Sequence, residues 1–325
     1  MTSDVGAMIV ETLDRMLAES CTPDQVRRWD KGAAVDGLWD ELVALGVLPA
    51  LVPEDAGGVG LAIADLGELA MLFGRHLVPV PLADTIAARA ICAAGGVEVE
   101  DVPIVIVPAK AVTGDTTLPL PLARHAKLAL IDNGDALSLV PIEAAAGEGS
   151  SVPLRLDRAQ ARAVAGPADL LATSAALRAA ESAGSLAAVL TLAVGYAGER
   201  SQFGKPLGSF QAIQQQIAVL AEESAAATMA ARLAFSGDQV DNGRAGVAKL
   251  RTDAAARRGL AIAHAVTGAI GISEEYDLQL HARRLIDARL SAGGEAYWAE
   301  RIGRARLAAP EPLTLDHVRS ALAGD

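Results

Sequence analysis

Between Tyr196 and Leu220 the chain reads YAGERSQFGKPLGSFQAIQQQIAVL, which brings Arg200, Phe203 and Gln211 into one short segment. A guanidinium makes planar, charge-assisted bonds to phosphate or carboxylate, and a glutamine amide both donates and accepts. For a lone arginine at a helix end, pairing with a nearby acid is the ordinary alternative. His264 and His281 carry imidazoles that titrate near neutrality, although a histidine satisfied by its structural neighbours is the commoner case. Cys21 and Cys92 are unspaced for metal or redox chemistry and read as small buried hydrophobes. A bond between the two is left open, and no metal site is expected.

The elements that must position these groups follow from composition and period. A chain of 325 residues exceeds the usual single domain, so two or three packed regions are expected. Hydrophobic residues reach 51% but aromatics only 3%, so Ala, Leu, Val and Ile must fill the interior, which favours closely packed helices. Lys plus Arg total 28 against 40 acids, and the resulting charge of −12 repels a polyanion and argues against nucleic-acid binding. The first residues lack a basic leader followed by an apolar run, and no stretch reaches the roughly 20 apolar residues of a membrane span. A soluble, unexported, cytoplasmic protein without membrane partners is the expectation, consistent with so few cysteines.

Apolar residues recur at helical spacing from Ala7 to about Glu19, from Val35 to Leu45 and from Leu61 to His76. Gly46 ends the second of these, LVPEDAGGVG (Leu51 to Gly60) is a loop, and Pro79 and Pro81 stop the third. From Asp101 to Gly166 short apolar runs replace that period, and the Asn-Gly-Asp at 133–135 reads as a turn between two strands. Helical period returns from about Leu170. Leu186, Val189, Leu190, Ala193 and Ala197 share one face of a first long helix, and Ile213, Ile217 and Leu220 one face of a second. The fold class is therefore mainly α with a small β region.

The segment from Arg200 through Gln202, Phe203, Gly204, Pro206, Leu207, Phe210 and Gln211 resembles, in residue type and spacing, a motif of the acyl-CoA dehydrogenase family. Leu38 to Asp84 looks like that family's N-terminal helical domain, and GAIGISEEYDLQL (Gly268 to Leu280) with Arg283 is similar to its late glycine motif and the approach to the active site. The resemblance implies an N-terminal helical domain (1–100), a reduced middle β domain (101–168) and a C-terminal four-helix bundle (169–325) that contacts FAD and oligomerises. It also implies FAD-dependent removal of hydrogen from the α and β carbons of an acyl-CoA, with an electron-transfer-flavoprotein-like acceptor. In the family the motif Arg and Gln reach FAD held mainly by a neighbouring subunit, which implicates Arg200, Phe203, Gln211 and Gly268. For Phe203 a plain core role is an equal alternative.

The sequence departs from the family where catalysis would occur. A carboxylate must take the α-proton. Many members place it seventeen positions after the Glu of a Glu-Tyr pair, which from Glu275 lands on Ala292; others place it twenty-six residues before the motif Arg, which lands on Ser174. Neither is a base, and His264 and His281 fall on neither position. Glu181 and Glu295 are the nearest substitutes, with a solvated or structurally paired carboxylate as the plainer reading of each. The middle region also lacks the Thr-Glu-Pro…Gly-Ser-Asp loop and the Trp-x-Thr segment that lie against the flavin, and only Leu120 to Ala165 resembles the later part of that domain. Ala265 replaces the Gln that precedes the late glycine motif. In these losses the chain resembles the short subunit of bacterial α2β2 acyl-CoA dehydrogenases, many of which act in fatty-acid or steroid side-chain degradation. A full-length partner is expected to supply the base and most of the FAD site. The alternatives are an autonomous homo-oligomer with a relocated Glu, a non-catalytic acyl-CoA-binding scaffold, and a DNA-associated relative that the charge disfavours.

Overall fold

The computed structural model describes residues 3–323 except 135, 146, 148 and 150. The chain opens with helices α1 (Asp4–Ser20), α2 (Pro23–Asp30), α3 (Asp36–Ala44), α4 (Ile63–Arg75) and α5 (Leu82–Ala94). The Ser3 hydroxyl accepts from the Gly6 N–H at 2.9 Å and donates to Asp65 Oδ2 at 3.0 Å, pinning the start of α1 onto α4. Gly46, at φ +69°, turns the chain out of α3 in the left-handed region where glycine is unstrained.

Helical period in the sequence marks neither α2 nor α5. The eight residues of α2 are mostly polar, and α5 is buried on nearly every side, so neither shows a two-faced pattern. Pro81 does not stop α4, which already ends at Arg75; it stands as the cap of α5.

The strands are β1 (Ile104–Val107), β2 (Val112–Thr113), β3 (Thr116–Thr117), β4 (Leu128–Asp132), β5 (Leu137–Ala145), β6 (Leu154–Leu156) and β7 (Arg162–Val164). They pair in the order β1-β4-β5-β6-β3-β2, with β7 on β5, and only the β1–β4 ladder is parallel. The continuous apolar runs of β1 and β4 follow from burial on both faces. Ile104, Ile106, Leu128 and Leu130 join the main helical core, while Val105, Val107, Ala129 and Ile131 fill a second cluster behind the sheet. Asn133 and Gly134 lie in the β4–β5 connection; Asp135, the last residue of the expected turn, lies outside the described residues.

The bundle follows: α6 (Leu170–Glu199), a hairpin of β8 (Ser201–Gln202) and β9 (Lys205–Pro206), then α7 (Gln211–Ala234), α8 (Asn242–Thr267), α9 (Leu278–Leu290), α10 (Glu295–Ala308) and α11 (Thr314–Ala323). The central helix is α6, which packs on α4, α7, α8 and α9. Its length and composition alone would also suit a membrane crossing, but 61% of its most apolar window is buried inside the protein. Of the faces expected to be apolar, Leu186, Val189, Ala193, Ala197 and Leu220 are buried, whereas Leu190, Ile213 and Ile217 are only half-buried. Both cysteines are buried and free, which closes the question of a bond between them. Burial pushes their thiols up to about 12 at Cys21 and about 11 at Cys92.

Two glycines set how closely α4 and α6 approach. A Cβ on Gly184 would stand 1.8 Å from the Met71 carbonyl oxygen, and one on Gly74 would stand 1.9 Å from that of Glu181. The helices therefore meet backbone to backbone, and a methyl group at either position has nowhere to go. Gly184→Ala is expected to lower stability by about 3 kcal/mol through overpacking, read as a shift of the urea midpoint at unchanged slope. Gly195→Ala on the same helix, where an added Cβ meets nothing within 4 Å, should be neutral or slightly stabilising.

Candidate functional site

At the end of α6 the Arg200 N–H donates to the Tyr196 carbonyl at 2.9 Å, and the Leu207 N–H donates to the Arg200 carbonyl at 2.8 Å, closing the β8–β9 hairpin. The two-residue turn is Phe203 (φ +53°) and Gly204 (φ +82°). Positive φ at both positions is what a tight hairpin turn demands, and it holds Phe203 outward, 90% exposed. A core role for Phe203 within this chain is thereby excluded. Its ring meets Phe210 edge to face at 6.1 Å, and Lys205 Nζ sits 4.3 Å from the Phe210 centroid. Arg200 and Gln211 are exposed, and among the described residues no acid stands within ion-pairing distance of Arg200.

Gly268 ends α8 at φ +64°, with its N–H donated to the His264 carbonyl. The segment beyond returns to α6, where the Tyr276 hydroxyl donates to the Leu192 carbonyl at 2.7 Å and its ring packs on Tyr196 at 5.7 Å. Arg200, Phe203, Gln211 and Gly268 thus share one end of the bundle.

The positions expected to hold a base lie elsewhere. Ser174, in the first turns of α6, and Ala292, in the α9–α10 connection, line the same cavity of about 210 Å³. Ala292 sits at φ +53°, and its carbonyl accepts the Trp298 indole N–H at 2.9 Å. Ser174 precedes Arg200 by 26 residues of a continuous helix, which at ~1.5 Å per residue separates them by about 39 Å. An arginine side chain cannot bridge that distance, so the exposed end and the cavity cannot serve one small ligand group within this chain.

The cavity does contain a carboxylate that the sequence reading did not single out. Asp84 of α5 lines it beside Arg178 of α6, and the two form a buried ion pair. The Ile106 N–H of β1 donates to Asp84 Oδ1 at 3.3 Å, and Glu181 Oε1 accepts from Arg178 Nη2 at 3.3 Å. Burial pushes the Glu181 carboxyl up to about 7, with Arg178 pulling it down and Asp84 pushing it further up. Burial also raises Asp84 against the same guanidinium. Only one signal pointed to this cluster: a charged Arg178 on the face of α6 that carries Ser174 and Glu181 at helical spacing.

The two glutamates considered as substitute bases are both engaged. Glu181 faces Arg178 from a separate space of about 30 Å³ and does not line the cavity with Ser174 and Ala292. Glu295 opens α10, accepts from Arg289 Nη2 at 2.9 Å and stands 3.5 Å from Arg257 Nε. His281 is buried against the Ser185 hydroxyl at 2.9 Å, and burial together with Arg284 pushes it down to about 3, so it stays neutral. His264 lies half-buried in the last turns of α8, away from the cavity lining. Among the described residues no cluster of three or more His, Cys, Asp or Glu side chains is placed to hold a metal ion.

Comparison with known proteins gives the family models for the acyl-CoA dehydrogenase N-terminal domain over residues 3–99 and the acyl-CoA dehydrogenase C-terminal domain over 168–307. Acyl-CoA dehydrogenase FadE34 of Mycobacterium tuberculosis is 32% identical over 291 residues, covering 80% of this chain but only 41% of FadE34. Acyl-CoA dehydrogenase IpdE2 of the same organism is 29% identical over 292 residues, covering 85% of this chain and 89% of IpdE2. The chain therefore spans less than half of one relative and most of the other. Among solved structures, a variant of the Tcur3481–Tcur3483 steroid ACAD has a TM-score of 0.78 at 25% identity, covering 93% of this chain and 97% of that one. The ChsE4–ChsE5 complex from Mycobacterium tuberculosis has a TM-score of 0.75 at 22% identity, covering 96% and 99%.

The buried cluster carries a pH signature. Glu181 has a folded-state value near 7 against an ordinary 4.5, so over that interval the native protein holds a proton that the unfolded chain has released. Stability from this group is complete below about pH 4.5 and is lost as pH rises to about 7, by up to about 3 kcal/mol. Glu181→Gln should remove most of that slope in chemical denaturation followed from pH 5 to pH 8.

Proposed function

The chain belongs to the acyl-CoA dehydrogenase family, and on that premise we propose that it is the cofactor-completing, non-catalytic subunit of a heteromeric FAD-dependent enzyme. The observation that carries this reading is the cavity lined by Ser174 and Ala292, whose lining carboxylate Asp84 is paired with Arg178. Groups suited to a nucleotide are exposed at one end of α6, and the cavity about 39 Å away at the other has no free base.

The exposed end fits part of a dinucleotide held by another subunit. Arg200 offers planar, charge-assisted bonds to a pyrophosphate. Gln211 donates to and accepts from polar groups of the cofactor, and the outward Phe203 presents a ring to be covered. At Gly268 an added Cβ would meet nothing within 4 Å, which leaves a bare backbone surface for close approach. Bound FAD supplies the hydride acceptor for the β-carbon of an acyl-CoA.

In this chain's own cavity the lining carboxylate, Asp84, is bound to Arg178. The α-proton is therefore taken by a glutamate of a full-length partner, in an α2β2 assembly with two flavins in place of four. Electrons leave to an electron-transfer-flavoprotein-like acceptor in the cytoplasm. The two-component names of Tcur3481–Tcur3483 and the ChsE4–ChsE5 complex support a heteromeric assembly.

Purification of the chain alone should give colourless protein, and co-expression with the full-length dehydrogenase encoded beside it a yellow heterotetramer by absorbance and native mass. In that complex Arg200→Ala should weaken FAD retention tenfold or more, the scale of a lost charged hydrogen bond. Glu181→Gln and Glu295→Gln should leave turnover within about twofold, since neither is assigned a proton transfer. A yellow, active preparation of the chain alone would sink the proposal.

A further inference from the structure

The cavity beneath Ser174 and Ala292 has two unlike ends. Lys110, Leu118 and Leu290 are exposed where it meets solvent, the two leucines at 54% and 83%. Val105, Ile106 and Leu120 are buried around its inner part, together with Asp84 and Arg178 at 1% and 2% exposure. An apolar space that finishes on a buried ion pair has a polar group to read at its far end.

That pair retains hydrogen-bonding capacity. Asp84 accepts from the Ile106 N–H and from Arg178, which leaves lone pairs unused on a carboxylate able to accept about four bonds. Arg178 Nε is buried without a hydrogen-bond partner: Glu181 Oε2 stands 3.2 Å away but outside hydrogen-bonding geometry. Asp84 and Glu181 already share the one guanidinium, so an incoming carboxylate would be desolvated with no cation of its own. An uncharged hydroxyl or ketone meets a donor and an acceptor without that cost. At the mouth Lys110, held with Nζ 4.6 Å from the Tyr297 ring centroid, offers a cation to whatever anionic part remains outside.

We propose that this cavity is a second, non-catalytic ligand site that takes an apolar chain or ring whose leading end carries an uncharged oxygen, with Asp84 and Arg178 as its specificity-determining pair. Its volume of about 210 Å³ holds about seven water-sized groups at roughly 30 Å³ each. The inference rests on the reading that the cavity has no dehydrogenation role. It assigns the site the far end of an oxygenated acyl group.

The test uses the full chain and two probes matched to that volume, hexan-1-ol and hexanoate, measured by ligand-detected NMR and calorimetry at pH 7. Hexan-1-ol should bind saturably and at least tenfold tighter than hexanoate. Ser174→Phe, which fills the cavity from α6, should abolish binding while the protein still melts cooperatively. Asp84→Asn should bring the two probes within threefold of each other. If Asp84→Asn fails to fold, Ser174→Phe and the probe ratio still decide the matter. Equal or tighter hexanoate binding, no saturable binding of hexan-1-ol, or binding that survives Ser174→Phe overturns the proposal. Flavin bound to the isolated chain would instead overturn the functional reading, whatever the alcohol does.

Discussion

A continuous helix of 30 residues fixes the distance between the two places in this protein where chemistry could occur. The backbone ladder of α6 has a rise that no side-chain adjustment can alter, so Ser174 at one end and Arg200 at the other are held apart as if on a rod. The rod itself is positioned by Gly74 and Gly184, which let α4 lie against it backbone to backbone. It is also held by Arg178, which ties α6 to α5 through Asp84 while Asp84 accepts from β1. Helices, sheet and bundle thus meet at one buried guanidinium. A pair of this kind adds little net stability compared with an apolar replacement, but losing one partner costs about 3–5 kcal/mol because the other is left buried and uncompensated.

Arg200 and the residues at the expected base positions, Ser174 and Ala292, stand toward opposite ends of α6. The β8–β9 end is exposed, with a phenylalanine at 90% exposure and, among the described residues, no acid paired with Arg200. The cavity, by contrast, has its carboxylate locked in an ion pair and its serine and alanine where a base would stand. On the proposed reading the chain lends contacts from one end, and the other keeps a pocket without the group that performs proton transfer.

Much of the fold was legible because helical period survives where a helix has one wet face, as in α1 and α3; α4 keeps that period although Arg75 is its one exposed residue. It failed for α5, which is enclosed on nearly every side, and for α2, which is short and polar. The β region was legible as apolar runs, since β1 and β4 are buried on both faces, but its pairing order was not. Motif spacing located Arg200, Ser174 and Ala292 but could not show that the last two open onto one cavity, a relation set by folding α9 back against α6. Asp84 escaped because its partner lies 94 residues away in sequence, and no local pattern marks such a pair.

The claim that the proton-abstracting carboxylate lies outside this chain is tested most directly by single-turnover flavin bleaching in the assembled heteromer, with the partner subunit's base changed from Glu to Gln and this chain left intact. The account predicts no bleaching on mixing with acyl-CoA, because Asp84, Glu181 and Glu295 are all engaged in ion pairs. Bleaching at an appreciable fraction of the unmodified rate would show that this chain furnishes a base of its own.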